Sequence, residues 1–176
     1  MKILDFPNLR QSTIDTCSCV CAQLCLVYYG IDQREDQIRM AMGVEYNPLE
    51  VRPEKIVTVL ESFGLKALYS KLTLSALKVE IDHGIPVILN LQAWAYEKKA
   101  DYSKDLNGHY VVAIGYDDKR VIFSDPSSFY NVSLSYRELE KRWHDGTPTD
   151  WDYSKMGIVV TGKKPKYSSG KIIRMK

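Results

Sequence analysis

What most constrains the fold of this 176-residue chain is a change of period near Gly84. Before that point apolar residues recur every three or four positions; after it they come in short, compact runs. The first pattern buries one face of an α-helix and the second a β-strand, so helices are expected first and strands later. A chain ordered in this way points to an α+β fold, with an antiparallel sheet packed on the first helix.

The first half carries clear punctuation. Cys17, Cys21, Leu24 and Tyr28 keep helical spacing, Asp15 and Thr16 offer N-caps ahead of them, and Gly30 offers a stop. These predict a buried helix over 17–29. Asp32 is expected to cap a second helix ending at Gly43. Pro53 suits the first turn of a third, which runs to Gly64, and Thr73 opens a fourth that ends near His83 and Gly84.

In the second half, "IPVILNLQAW" (85–94) reads as a buried strand and "YEKKADYSKDLNG" (96–108) as an exposed loop. "HYVVAIGY" and "RVIFSD" flank "DDK", a hairpin signal. "NVSLS" gives a further strand, Ser135 caps the amphipathic "YRELEKRWHD", and "KMGIVVTG" (155–162) supplies the last strand. A three-residue turn at "DDK" pairs Tyr116 with Arg120. Register then sets Val111 opposite Asp125, on the face of His109 and one diagonal away. A two-residue turn would reverse that parity.

Hydrophobic residues make up 45% of the chain and charged residues 26%, as in ordinary globular domains. No apolar run approaches the roughly 18–20 residues of a membrane span, and the start lacks the apolar region of a signal peptide. A cytoplasmic, reducing location is expected, with no transmembrane segment. The net charge of +2 is uneven: residues 163–176 hold six Lys or Arg and no acid, which leaves 18 basic and 22 acidic residues, or −4, in the rest. We therefore read a single domain at 1–162 and a solvated basic tail at 163–176, with no nucleic-acid partner. Nothing in the sequence fixes an oligomeric state.

All four cysteines fall within nine residues, 17 to 25. Neighbours this close on one helix cannot meet the geometry of a disulfide. A zinc site needs ligands that converge; Cys17, Cys21 and Cys25 share a face, but Cys19 points elsewhere, and neither a second Cys pair nor a histidine lies near by. We expect no metal. Cys21 and Cys25 read as small buried hydrophobes, with Cys19 undecided. Cys17 differs because it opens the helix, where free N–H groups and the helix dipole favour a thiolate.

A cysteine nucleophile wants an imidazole, and the chain has three. His83 lies in a turn and His144 at a helix end, where a cation favours the dipole without chemistry. His109 opens a strand beside the 96–108 loop, after Gly108, whose lack of a side chain would let a substrate backbone pass close. Asp125, at the end of the next strand and before Pro126, is placed to orient it; a turn-initiating Asp is the equal alternative. Gln11, six residues before Cys17, would add its amide to the Cys17 N–H as a second donor for an oxyanion. Trp94 either lines the substrate cleft or fills the core.

Together these residues resemble the bacteriocin-processing cysteine peptidases, the papain-like family that trims double-glycine leader peptides, and their stand-alone relatives. The family opens with Gln, five residues, Cys-Gly and a helix closing on Tyr-Tyr-Gly; here the stretch is "QSTIDTCSCVCAQLCLVYYG". Its second pattern corresponds to "GHYVVAIGYDDKRVIFSDP". "GIPVILNLQAW" and "LSYRELEKRWHD" also look like the family's, so the match spans about 8–161. The resemblance implies a papain-like fold with Cys17 as nucleophile, His109 as base and then acid, Asp125 as orienter and Gln11 in the oxyanion hole. Ser18 departs from the family's Gly and would narrow the cleft or bond the neighbouring backbone. Fused members carry an exporter and an ATPase, and that context is not carried over.

The expected activity is hydrolysis of peptide or isopeptide bonds in a peptide or protein substrate, through a thioester and without a cofactor. An acyltransferase or amidase using the same residues, and an inactive peptide-binding module, are the alternatives.

Overall fold

A computed structural model describes residues 1–44, 51–95, 101–104, 107–146 and 154–175. The chain runs β1 (Lys2–Ile3), α1 (Cys17–Tyr28), α2 (Glu35–Met42), α3 (Pro53–Ser62), β2 (Lys66–Lys71), α4 (Leu74–Asp82), β3 (Val87–Gln92), β4 (Gly108–Tyr116), β5 (Arg120–Ser124), β6 (Val132–Ser135), α5 (Tyr136–Arg142) and β7 (Met156–Thr161). The strands form one antiparallel sheet in the order β2-β7-β3-β4-β5-β6, with β1 paired to β4.

α1 is the centre of the molecule. Nine of its twelve residues are buried, and a helix that is apolar nearly all round has to lie inside rather than on a surface. Its C-terminus closes on Gly30 at φ +81°. The Gly30 N–H bonds Val27 O and the Ile31 N–H bonds Leu26 O, a pair of bonds that needs the left-handed residue glycine supplies. The tyrosines of "YYG" tie the helix to its surroundings: Tyr28 Oη donates to Gly84 O and Tyr29 Oη to Val160 O, each at 2.9 Å.

The sheet is covered on both faces. Ile88, Tyr110, Val112, Ile114, Ile158 and Val160 join the core of α1, α2 and α3. Val87, Leu89, Val111, Val121 and Phe123 pack with Leu77 and Ile81 of α4 and with Leu139 and Trp143 at α5. Two buried faces explain why all six residues of β3 are buried and why its sequence hardly alternates.

Several expectations need correction. Two strands, β1 and β2, lie in the half read as helical. β2 is an edge strand with Leu68 exposed and only Ala67 and Tyr69 packed on the core, so its period is weak. α2 is capped at Arg34, not Asp32: the Arg34 N–H donates to Gln37 Oε1 at 3.2 Å, and this starts the helix two residues later. α5 stops at Arg142, because Trp143 leaves helical geometry and sends Nε1 to Met156 O at 2.8 Å. The loop expected at 96–108 lies partly outside the described residues. In the basic tail, the Lys166 and Tyr167 N–H groups both bond Tyr28 O, and Ser169 N–H bonds Asp5, so the start of the tail rests on the body. Residues 170–175 beyond that point are exposed. No helix among the described residues is long and apolar enough to cross a membrane.

The β4–β5 hairpin reaches the expected end by a different route. Asp117 faces Arg120 around a two-residue tip, with Asp117 N–H on Arg120 O at 3.1 Å. Tyr116 therefore pairs with Val121, not Arg120. Ile114 is then an extra residue on β4, and past it the pairs are Ala113 with Phe123 and Val112 with Ser124. The bulge restores the parity the tip had reversed, which brings Asp125 to the level of Val111.

Candidate active site

Cys17 is the first residue of α1 and the one cysteine of the four that is not fully buried. His109 is the second residue of β4, and Asp125 follows the last residue of β5. The imidazole Nε2–H donates to Asp125 Oδ1 at 2.8 Å, and the Cys17 thiol lies near enough to the ring to help hold its proton. With Nε2 on the carboxylate, Nδ1 is the nitrogen left for the sulfur.

The electrostatics follow from these contacts. Burial alone would strip the proton from His109. Its hydrogen bond to Asp125 and the nearby Cys17 sulfur outweigh that and raise it from 6.5 to about 9. Asp125 is likewise buried, which would favour its acid form. His109, the Ser127 N–H at 2.7 Å and the Trp94 indole N–H at 2.8 Å hold it below the ordinary carboxylate range instead. The other thiols lie in the core: burial pushes Cys19 up to about 11, and raises Cys21 and Cys25 further. They behave as small hydrophobes, Cys19 included. Among the described residues no group of three His, Cys, Asp or Glu side chains is arranged to hold a metal.

Gln11 lies beside the turn that follows Asp125. Its N–H bonds Pro126 O at 3.0 Å, its Oε1 accepts from Ser127 Oγ at 3.2 Å, and its Nε2 donates to Thr13 O at 2.8 Å. One of the two amide hydrogens is thus engaged within the loop.

The three residues expected to meet substrate lie differently. Ser18 is 1% exposed, with its hydroxyl unpartnered among the described residues, so it sits beneath the site rather than in an open cleft. The side-chain position of Gly108 is filled by the carboxylate of Asp145. This glycine makes room for an internal contact, not for a substrate on that side. Trp94 is 54% exposed and so is no core residue, and its indole N–H points at Asp125.

Sequence reasoning missed Ser127 and the Asn90, Gln92 and Asp145 cluster. Asp145 accepts from Asn90 Nδ2 at 2.6 Å and Gln92 Nε2 at 2.9 Å, and Gln92 Oε1 accepts the Asn107 N–H at 2.8 Å. These bonds hold the entry to β4 and with it His109. The Ser127 contact had a signal in "DPS", since an Asp two residues before an N–H commonly turns back to accept from it. The polar cluster had none, because its partners lie more than fifty residues apart.

The model of the Peptidase_C39-like family matches residues 3–149, most of the chain. The chain belongs to that family. Solved structures agree in fold with this Peptidase_C39-like chain. A protein described as a C39-like peptidase from Bacillus anthracis is 17% identical with a TM-score of 0.70, over 94% of this chain and 100% of that one. The peptidase domain of Streptococcus ComA, a bifunctional ABC transporter of a quorum-sensing pathway, is 16% identical with a TM-score of 0.66, over 92% and 98%. A double glycine motif protease from an AMS/PCAT transporter, solved with its leader peptide, is 16% identical with a TM-score of 0.64, over 91% and 94%. No curated protein sequence matches significantly. At such identities the likeness establishes the fold. Family and fold together support a cysteine peptidase of the papain-like type for this C39-like chain.

Proposed function

We propose that this chain hydrolyses peptide bonds with Cys17 as nucleophile, His109 as general base and then acid, and Asp125 as the group that orients His109. The observation that carries the reading is one buried imidazole bonded to a carboxylate and set beside the thiol at the start of α1. His109, an imidazolium below about pH 9, already holds the proton of the pair on Nδ1, and the sulfur attacks the scissile carbonyl carbon. The tetrahedral oxyanion is met by the Cys17 N–H, unpaired at a helix start, and by the second amide hydrogen of Gln11; such a donor contributes about 3 kcal/mol to lowering the barrier. The intermediate collapses as the C–N bond breaks and His109 gives its proton to the leaving amine. A water, deprotonated by His109, then cleaves the thioester, and the sulfur leaves as thiolate.

A peptide substrate is supported by the structural relative solved with its leader peptide. That relative is a double glycine motif protease, so a peptide carrying Gly-Gly is the first probe. The nucleophile must stay reduced, which suits a reducing compartment and makes a thiol reductant part of the assay.

The test is incubation of wild type and Cys17→Ala with that peptide, read by product mass. Cleavage by wild type alone supports the reading, and adducts that form with added amines would redirect it to acyl transfer. A companion measurement is alkylation of the native protein by iodoacetamide at pH 6. Fast labelling confined to Cys17 and slowed by His109→Ala is expected, whereas uniformly slow labelling of all four thiols contradicts an activated nucleophile.

A further inference from the structure

Trp94 combines three features that do not usually go together. Its backbone is left-handed, at φ +55°, a conformation that bulky aromatic residues seldom adopt without support elsewhere. Its side chain is about half exposed, so burial of the ring does not account for the conformation. Its indole N–H donates at 2.8 Å to Asp125 Oδ2, the carboxylate oxygen that His109 does not use. The segment that holds it leaves β3 and is pinned by the Ala93 N–H on Asn107 O, just ahead of Gly108 and His109. The two ends of one loop therefore carry Trp94 and His109, and both converge on one carboxylate.

From this geometry we propose that Trp94 is a positioning residue for the reaction: it fixes the carboxylate plane of Asp125, and so the direction in which His109 faces Cys17. This inference rests on the peptidase reading of the site. Three donors then divide the carboxylate between them, with His109 Nε2 and the Ser127 N–H on Oδ1 and the Trp94 indole alone on Oδ2. Removing the indole N–H frees Oδ2 and lets the group rotate about its last bond. It also removes a donor that favours the ionised form, so Asp125 takes up a proton at higher pH. Among the described residues, the ionisable groups that act on Asp125 are His109 from β4 and the thiol of Cys21 from α1, with Cys17 beside His109. Of these, the buried Cys21 stays neutral.

The experiment is the rate of Cys17 alkylation by iodoacetamide between pH 4 and 10, in wild type, Trp94→Phe and His109→Ala. Phenylalanine keeps the ring and loses only the donor. We expect Trp94→Phe to label Cys17 about tenfold more slowly at pH 5, with its acid limb moved up by about one pH unit and an unchanged melting temperature. A Trp94→Phe profile that overlays wild type overturns the role of Trp94 and leaves the peptidase reading standing. Slow wild-type labelling of Cys17, indifferent to His109→Ala, overturns both.

Discussion

The carboxylate of Asp145 occupies the space that a side chain at Gly108 would need. Asn90 and Gln92 hold it there from β3, so it cannot swing away without giving up its bond to the buried Asn90 amide. Gly108→Ala should therefore cost about 1–3 kcal/mol of stability through overpacking. Because position 108 precedes His109, Cys17 alkylation should slow as well. Urea unfolding and labelling rates check the two effects, and an unchanged midpoint would show that the Asp145 loop yields easily.

Asp125→Asn removes the charge that holds the proton on His109. Burial, which opposes that proton, remains. The alkaline limb of Cys17 alkylation, expected near pH 9 in wild type, should move to lower pH, and peptide turnover should fall by about 10²–10⁴-fold. An alkaline limb that stays in place would mean that Asp125 does not govern His109.

His109 also links stability to pH. Its folded value, about 9, lies above the unfolded 6.5. The bound proton therefore contributes stability in full below about pH 6.5, and that contribution is lost as pH rises through about 9. Thermal melting followed from pH 6 to 10 should show this decline, and His109→Gln should flatten it. A wild-type curve as flat as the variant's would contradict the paired imidazolium.

Ser127 separates two parts of the site. Its N–H serves Asp125 and its hydroxyl serves Gln11. Ser127→Ala keeps the first and loses the second. Alkylation by iodoacetamide develops no oxyanion, so its rate should be unchanged, while turnover of a Gly-Gly peptide should drop by about tenfold. Equal losses in both assays would mean that the hydroxyl supports the fold of the turn rather than the amide of Gln11.

Much of this arrangement was legible before any coordinates. The helical spacing of Cys17, Cys21, Leu24 and Tyr28, closed by Gly30, was enough for α1, because a helix buried all round writes itself into nearly every residue. The compact run at 85–94 did the same for β3, which occupies Val87–Gln92. β2 was hidden because an edge strand with one weakly buried face has little alternation to read. The capping of α2 by Arg34 was hidden because a backbone N–H bonded to a glutamine side chain leaves the cap residue itself free to vary. At the site, residue types and local position nominated Cys17 and His109, while Asp125 and Gln11 took their places through the family resemblance. What each non-catalytic neighbour touches was not. The positions of Trp94 and Gly108 depend on contacts with Asp125 and Asp145, distant in sequence, and single-residue chemistry does not encode those.

The tip of the β4–β5 hairpin and the extra residue Ile114 offset one another. Loop tips usually tolerate the gain or loss of a residue, since little downstream depends on them. Here a one-residue deletion at Asp118 or Lys119 shifts the frame of β5 against its neighbour, and unless Ile114 is removed with it, Asp125 turns toward the opposite side of the sheet from His109. Length changes in this remote hairpin should therefore be inherited in pairs, one at the tip and one at the bulge.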